Sequence, residues 1–261
     1  MLKIRIIPTL LWKDVGLVKG VGFDSWRRVG SVLPAVKIYN TRGVDELVLL
    51  DIVASLKNSA PNFQAIAEVA SFCFVPLTVG GGIRSLDHIK NLLRAGADKV
   101  CINSFAYEDP DFIRNAALYF GSQCIVVGVD VKKTPEGEYE CYSYSGTKAT
   151  GIHVIDWIKK MQELGAGEIL LTSIEQDGTL KGYDLALIRL VSRNVNIPVI
   201  ASGGASDYQD FYNAINQGAS AVAAASMFHF TEKTPALAKQ YLTERNIPVR
   251  KNNTILKPLV E

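Results

Sequence analysis

The feature that most constrains this chain is an internal repeat. PLTVGGGIRSLDHIKNLLRAGADKVCINS, beginning at Pro76, aligns without a gap on PVIASGGASDYQDFYNAINQGASAVAAAS, beginning at Pro198, so the two stretches stand 122 residues apart. Gly81 falls on Gly203, Gly82 on Gly204, Gly96 on Gly218 and Ser104 on Ser226. The same offset carries Gly43 onto Gly165 and Glu46 onto Glu168. A period this long in 261 residues allows two copies, so the fold is expected to be two like halves closed on each other.

Within each half, short apolar runs alternate with longer amphipathic stretches. IRIIPTL, ELVLLDI, VPLTVGG, KVCINS, CIVVGVDV, EILLTSI, IPVIASGG and SAVAAAS read as eight strands. Helical spacing marks NFQAIAEVASF, SLDHIKNLLRAG, DPDFIRNAALYFG, HVIDWIKKMQELG, YDLALIRLVSRN and DYQDFYNAINQG, several opening on Asn, Ser or Asp and closing on Gly. Near-continuous apolar strands joined by helices require a parallel sheet covered on its outside, and eight of them suit closure into a (β/α)8 TIM barrel. A doubly wound sheet gives the same alternation, but no G-x-G-x-x-G follows the first strand. The expectation is one α/β domain, a barrel over residues 1–250 made of two half-barrels, with 251–261 as a C-terminal tail. Residues 12–30 and 133–151 are expected to be loop-rich insertions after the first and fifth strands, on the face where such barrels do chemistry.

Charge narrows the partners. With 28 Lys+Arg against 26 Asp+Glu the formal charge is +2, too weak a field to hold a nucleic-acid backbone. The amino-terminal apolar run carries Lys3, Arg5 and Lys13 and lacks a cleavage site, and no run nears the roughly 18 apolar residues of a membrane span. A cytoplasmic protein is expected. Cys73, Cys101, Cys124 and Cys141 form no C-x-x-C, and His88, His153 and His229 lack metal-ligand spacing, so neither a disulfide frame, a metal nor a cofactor is expected.

The glycine pairs close the third and seventh strands, each before a helix. Glycine there lets backbone N–H groups approach an anion, and the helix N-terminus favours negative charge. Asn103-Ser104 and Ala225-Ser226, at the ends of the neighbouring strands, add further donors. Two such sites on one barrel mouth imply a ligand phosphorylated at both ends, although a glycine turn alone is often only a tight turn. Asp51, Asp130 and Asp177 also stand at strand ends, where a carboxylate either moves protons, holds a hydroxyl or fixes a loop. Lys19 is expected as a mobile cationic clamp over the mouth, and Thr78, Thr172 and Ser202 as lesser polar contacts. At the opposite end Arg5, Glu46, Lys99 and Glu168 stand at or near strand starts, where two cations and two anions can meet around the axis as a plug or a gate.

From Arg5-Ile6-Ile7-Pro8 to about Arg250, these blocks resemble the cyclase subunit family of imidazole glycerol phosphate synthase. DELVLLDI, PLTVGGGIRS, LLRAGADKVCINS, FGSQCIVVGVD, ELGAGEILLTSIEQDGT, PVIASGGA and SMFHF carry the likeness. The resemblance implies a barrel that takes ammonia from a glutaminase docked at its N-terminal face and carries it along the axis to a bis-phosphorylated ribulosyl substrate. It assigns an ammonia gate to Arg5, Glu46, Lys99 and Glu168, and phosphate sites to Gly82, Asn103 and Ser104 and to Gly203, Gly204, Ala225 and Ser226. It puts Asp177 and Gly178 beside the ligand, Asp98 at the rim facing the glutaminase, and Asp130 as one of two catalytic carboxylates. The second falls on Leu11, which transfers no proton; Asp14 aligns elsewhere. With the LLWKDVGLVKG block, that departure resembles a paralogous branch linked to acetamidino modification of surface-polysaccharide sugars, in which ammonia passes to a separate sugar amidotransferase. The favoured expectation is that branch. Its alternatives are the cyclase of histidine biosynthesis, a non-catalytic ammonia conduit, and an isomerase of the related half-barrel type acting on a bis-phosphorylated ribosyl substrate.

Overall fold

Apolar residues at alternate positions make strands, and apolar residues three and four apart make the helices that cover them. The computed structural model describes residues 3–14 and 16–250; the predicted tail lies outside the described residues. The first half runs β1 (Arg5–Lys13), β2 (Gly16–Val21), β3 (Asp24–Gly30), α1 (Val32–Thr41), β4 (Leu47–Asp51), α2 (Phe63–Ala70) and β5 (Leu77–Gly80). It continues through α3 (Leu86–Arg94), β6 (Lys99–Ile102), α4 (Ser104–Glu108) and α5 (Asp111–Phe120). The second half runs β7 (Ile125–Lys133), β8 (Tyr139–Ser143), β9 (Lys148–His153), α6 (Val154–Glu163), β10 (Glu168–Ser173) and α7 (Leu185–Ser192). It ends with β11 (Val199–Ser202), α8 (Tyr208–Asn216), β12 (Ala221–Ala224), α9 (Ser226–Phe230) and α10 (Pro235–Thr243).

Shifted by 122 residues, α1 lands on α6, α2 on α7, α3 on α8 and α4 on α9, residue for residue. The repeat is therefore one of structure. Helix starts follow their caps: Asn62 accepts from the Ala65 N–H, Ser85 from His88 and Asp184 from Leu187, and Asp207 forms a capping box with Asp210.

β1, β4, β5, β6, β7, β10, β11 and β12 pair in parallel in that cyclic order, and β12 returns to β1 with Ile7 beside Ala223. The closed (β/α)8 barrel has two cores. Ile6, Leu10, Leu49, Val79 and Val127 face out to the helices. Ile7, Val48, Cys101, Val126, Leu170, Ile200, Ala221 and Ala223 fill the interior.

The expected loop-rich insertions are β-ribbons instead. β2 pairs antiparallel with the end of β1 and with β3, and β8 pairs antiparallel with the end of β7 and with β9. β3 and β9 are largely solvent-facing, so they carry no apolar run for a sequence reading to find. Among the described residues no helix is long and apolar enough to cross a membrane.

Candidate functional site

Along β1, side chains alternate between shell and interior, which sends Arg5, Ile7, Thr9 and Leu11 inward at successively higher levels. At the bottom, Arg5 Nη1 donates to Glu46 at 3.0 Å and to Glu168 at 2.9 Å. Lys99 Nζ donates to the same two carboxylates at 3.2 and 3.0 Å. The four groups form a closed cycle of alternating charge, each nearly buried. An isolated charge there would cost several kcal/mol; every member of the cycle has two opposite neighbours. Burial works to lower the Arg5 pKa, but Glu168 and Glu46 outweigh it and hold the guanidinium above its ordinary value. Asp98, exposed beside the start of β6, accepts from the Leu77 N–H at 2.8 Å.

Above the cycle lies the apolar collar of the interior core, and above the collar opens a cavity of about 1160 Å³ including its mouth. All but one of the ligand-site residues expected from the sequence, whether from strand-end position or from the resemblance, line it: Leu11, Lys19, Asp51, Gly82, Asn103, Ser104, Asp130, Thr172, Asp177, Gly178, Ser202, Gly203, Gly204, Ala225 and Ser226. Thr78 does not. It is buried level with Lys99 and Val48, below the cavity, because inward positions recur every second residue and Gly80 takes the next level.

Two cradles face each other across this cavity. In one, Gly81-Gly82 and the start of α4 converge; in the other, Gly203-Gly204 and the start of α9. The residues preceding these two short helices match in backbone, Asn103 at φ −122°, ψ −85° and Ala225 at φ −119°, ψ −70°, and neither supplies a side-chain cap. First-turn N–H groups are thus left for a ligand. Gly81 has φ +106°, and a Cβ there would stand 2.3 Å from the Asp51 carbonyl oxygen, so the cradle closes only around glycine. Of seven buried side-chain polar atoms without a protein partner among the described residues, three line this cavity: Thr9 Oγ1, Asn103 Oδ1 and Ser226 Oγ. Unpaired polar atoms gathered in one cavity mark a place where a polar ligand completes the hydrogen bonding.

The carboxylates divide by partner. Asp51 Oδ1 accepts from the Val53 and Ala54 N–H groups, both at 2.9 Å, which fixes the loop after β4. Asp177 is ion-paired with Lys19, whose side chain is 2% exposed. The expected mobile clamp is therefore a buried, paired lysine: β2 folds back on β1, and the Gly22 N–H donates to the Asp177 carbonyl at 2.8 Å. Asp130 accepts from Asn103 Nδ2 at 2.8 Å. Burial, and then the nearby Asp177, push the Asp130 pKa up to about 7, against hydrogen bonds from Thr172 and Asn103 that lower it. A carboxyl held there can take or give a proton near neutrality.

Leu11 pairs in register with Leu50, and both line the cavity, so that wall is apolar. Asp14 lies outside it, in an exposed ion pair with Lys57 at 2.7 Å. The sequence reading missed Thr9, Ser55, Phe23, Trp26 and Ser145, all of which line the cavity. Alternation along β1 was signal enough for Thr9; the others depend on the ribbons and on loop geometry. No cluster of three or more His, Cys, Asp or Glu suited to a metal occurs among the described residues.

A family model described as histidine biosynthesis protein matches residues 5–234. The imidazole glycerol phosphate synthase subunit HisF of Natranaerobius thermophilus is 49% identical over 251 residues, covering 96% of this chain and 100% of that protein. The protein of the same name from Endomicrobium trichonymphae is 48% identical over 250 residues, covering 96% of each chain.

Proposed function

The chain belongs to the histidine biosynthesis protein family, and from that premise we propose that it is a cyclase (lyase) subunit of the imidazole glycerol phosphate synthase type, acting in histidine biosynthesis. Both relatives carry that subunit's name, which favours the histidine pathway over the sugar-modification branch anticipated from Leu11. The observation that carries the proposal is axial: a charged cycle at the bottom, an apolar collar, and two facing anion cradles at the top of one barrel.

In this reading a glutaminase docks below, where Asp98, Phe74, Leu118 and Tyr119 stand exposed on segments leading into β5, β6 and β7. Ammonia passes the Arg5, Glu46, Lys99 and Glu168 gate and crosses the collar. The bis-phosphorylated ribulosyl substrate spans the cradles, one phosphate at Gly82, Asn103 and Ser104, the other at Gly203, Gly204, Ala225 and Ser226. Asp130, with its pKa near 7, exchanges the protons that ring closure and cleavage require. The products are imidazole glycerol phosphate and aminoimidazole carboxamide ribotide. Lys19 neutralises Asp177, which limits the negative charge that a bis-phosphate meets.

One observation favours a second reading. Leu11 stands in the cavity wall where the resemblance expects the second catalytic carboxylate, beside the equally apolar Leu50, and loss of one placed acid or base commonly removes about 10²–10⁴ in rate. On that reading the chain passes ammonia to a sugar amidotransferase and has no use for both cradles. Calorimetric binding separates them. A ligand with two phosphates should bind the isolated chain about a hundredfold more tightly than ribose 5-phosphate, because the second contact is intramolecular. Equal binding of the two would contradict the proposal.

A further inference from the structure

Trp26 lines the cavity from the first ribbon, beside Phe23 at 6.5 Å between ring centroids. Both rings are half-buried, yet neither belongs to the partly buried apolar residues that pack on the outer core, whereas Trp12 and Val29 do. Both line the cavity instead. The ribbon is held there by the Lys19–Asp177 ion pair and by the Gly22 N–H to the Asp177 carbonyl, and Arg27 stacks over Phe230 at 4.0 Å. Glycine sets the spacing: a Cβ on Gly20 would lie 3.1 Å from Trp26 Cε3, and one on Gly178 would lie 2.0 Å from the Gly20 carbonyl oxygen. The indole thus lies against bare backbone at the mouth, on the side of Asp177 and Gly178.

A large aromatic surface kept partly uncovered at the mouth of a cavity suits a planar π-system, which stacks on it with a gain beyond simple burial. We infer that Trp26 is a specificity-determining residue that stacks on the heterocycle of the bound ligand, distinguishing ring-bearing sugar phosphates from plain ones. The inference rests on the proposed function, which supplies a ligand with such a ring. Trp12 Nε1 is bonded to the Asp14 carbonyl outside the cavity and Trp157 is buried against Tyr107, so Trp26 is the tryptophan that lines it.

The test compares aminoimidazole carboxamide ribotide with ribose 5-phosphate, which shares the sugar phosphate but has no ring. Calorimetry and tryptophan emission are read on the parent, Trp26→Leu and Trp26→Phe. The parent should bind the ring-bearing ligand roughly tenfold more tightly. Trp26→Leu should lose most of that advantage, together with the emission change, and Trp26→Phe should keep much of the affinity. All three should bind ribose 5-phosphate alike. A ring advantage absent from the parent, or undiminished in Trp26→Leu, would overturn the stacking role while leaving the cradles standing. Failure of the parent to bind either ligand would overturn the phosphate reading and this inference with it.

Discussion

Replacing Asp130 with asparagine should make the protein more stable at neutral pH. Burial and Asp177 raise the Asp130 pKa to about 7, against an ordinary 3.8. Between roughly pH 4 and 7 the folded protein holds a proton that the unfolded chain has shed, so stability falls as pH rises through that window and levels off above it. A gap of about 3 pKa units corresponds to at most about 4 kcal/mol; water in the open cavity screens the charge, so about 2 kcal/mol is the working magnitude. Asparagine keeps an oxygen for the Asn103 amide and does not ionise. Urea unfolding of parent and Asp130→Asn at several pH values between 4.5 and 8 reads the difference. The variant's advantage should grow by about 2 kcal/mol toward pH 7.5 and then stay constant. A difference that stays flat across the range, or that shrinks as pH rises, would refute the reasoning.

Breaking the charged cycle at one point should be costly: Glu168→Gln leaves Arg5 and Lys99 sharing one carboxylate and should cost about 3 kcal/mol in urea unfolding, with part recovered when Lys99→Gln is added. Additive losses in the double variant would contradict the coupling. Gly81→Ala, forced to φ +106° with its Cβ against the Asp51 carbonyl, should lose about 3 kcal/mol or more, readable as a lowered melting temperature. His229 should stay neutral at pH 5, because burial, and then Lys19, lower its pKa to about 4. The stability it contributes is present above the unfolded value of 6.5 and is lost as pH falls toward 4. A ring-proton NMR titration with its midpoint near 6.5 would reject that burial.

The barrel was legible because eight apolar runs alternate with helical ones and the gapless repeat of residues 76–104 in 198–226 ties the two halves together. Glycine pairs, strand-end carboxylates and low-lying charges occupy fixed positions relative to the barrel axis, so their burial in one cavity and one charged cycle follows once the strand register is known. The register also explains Thr78, where a single step of two residues separates the lower layer from the cavity. The ribbons were illegible because β3 faces solvent, and with them went Phe23, Trp26 and the true state of Lys19. A lysine in a glycine-bounded segment carries no sign of burial until β2 is seen to fold back on β1. The short helices α4 and α9 were missed for a different reason. Five residues are too few to show a helical period, yet their uncapped starts complete both cradles.

Turnover of the bis-phosphorylated ribulosyl substrate by the isolated chain, with an ammonium salt as the nitrogen source, tests the account most directly. It removes the glutaminase from the question and leaves Asp130 and the cradles to act alone. The account predicts turnover by the parent protein that is lost in Asp130→Asn. No turnover in the parent, with activity appearing only in Leu11→Asp, would contradict the histidine-pathway role and favour the second reading; silence in both would remove the cyclase altogether.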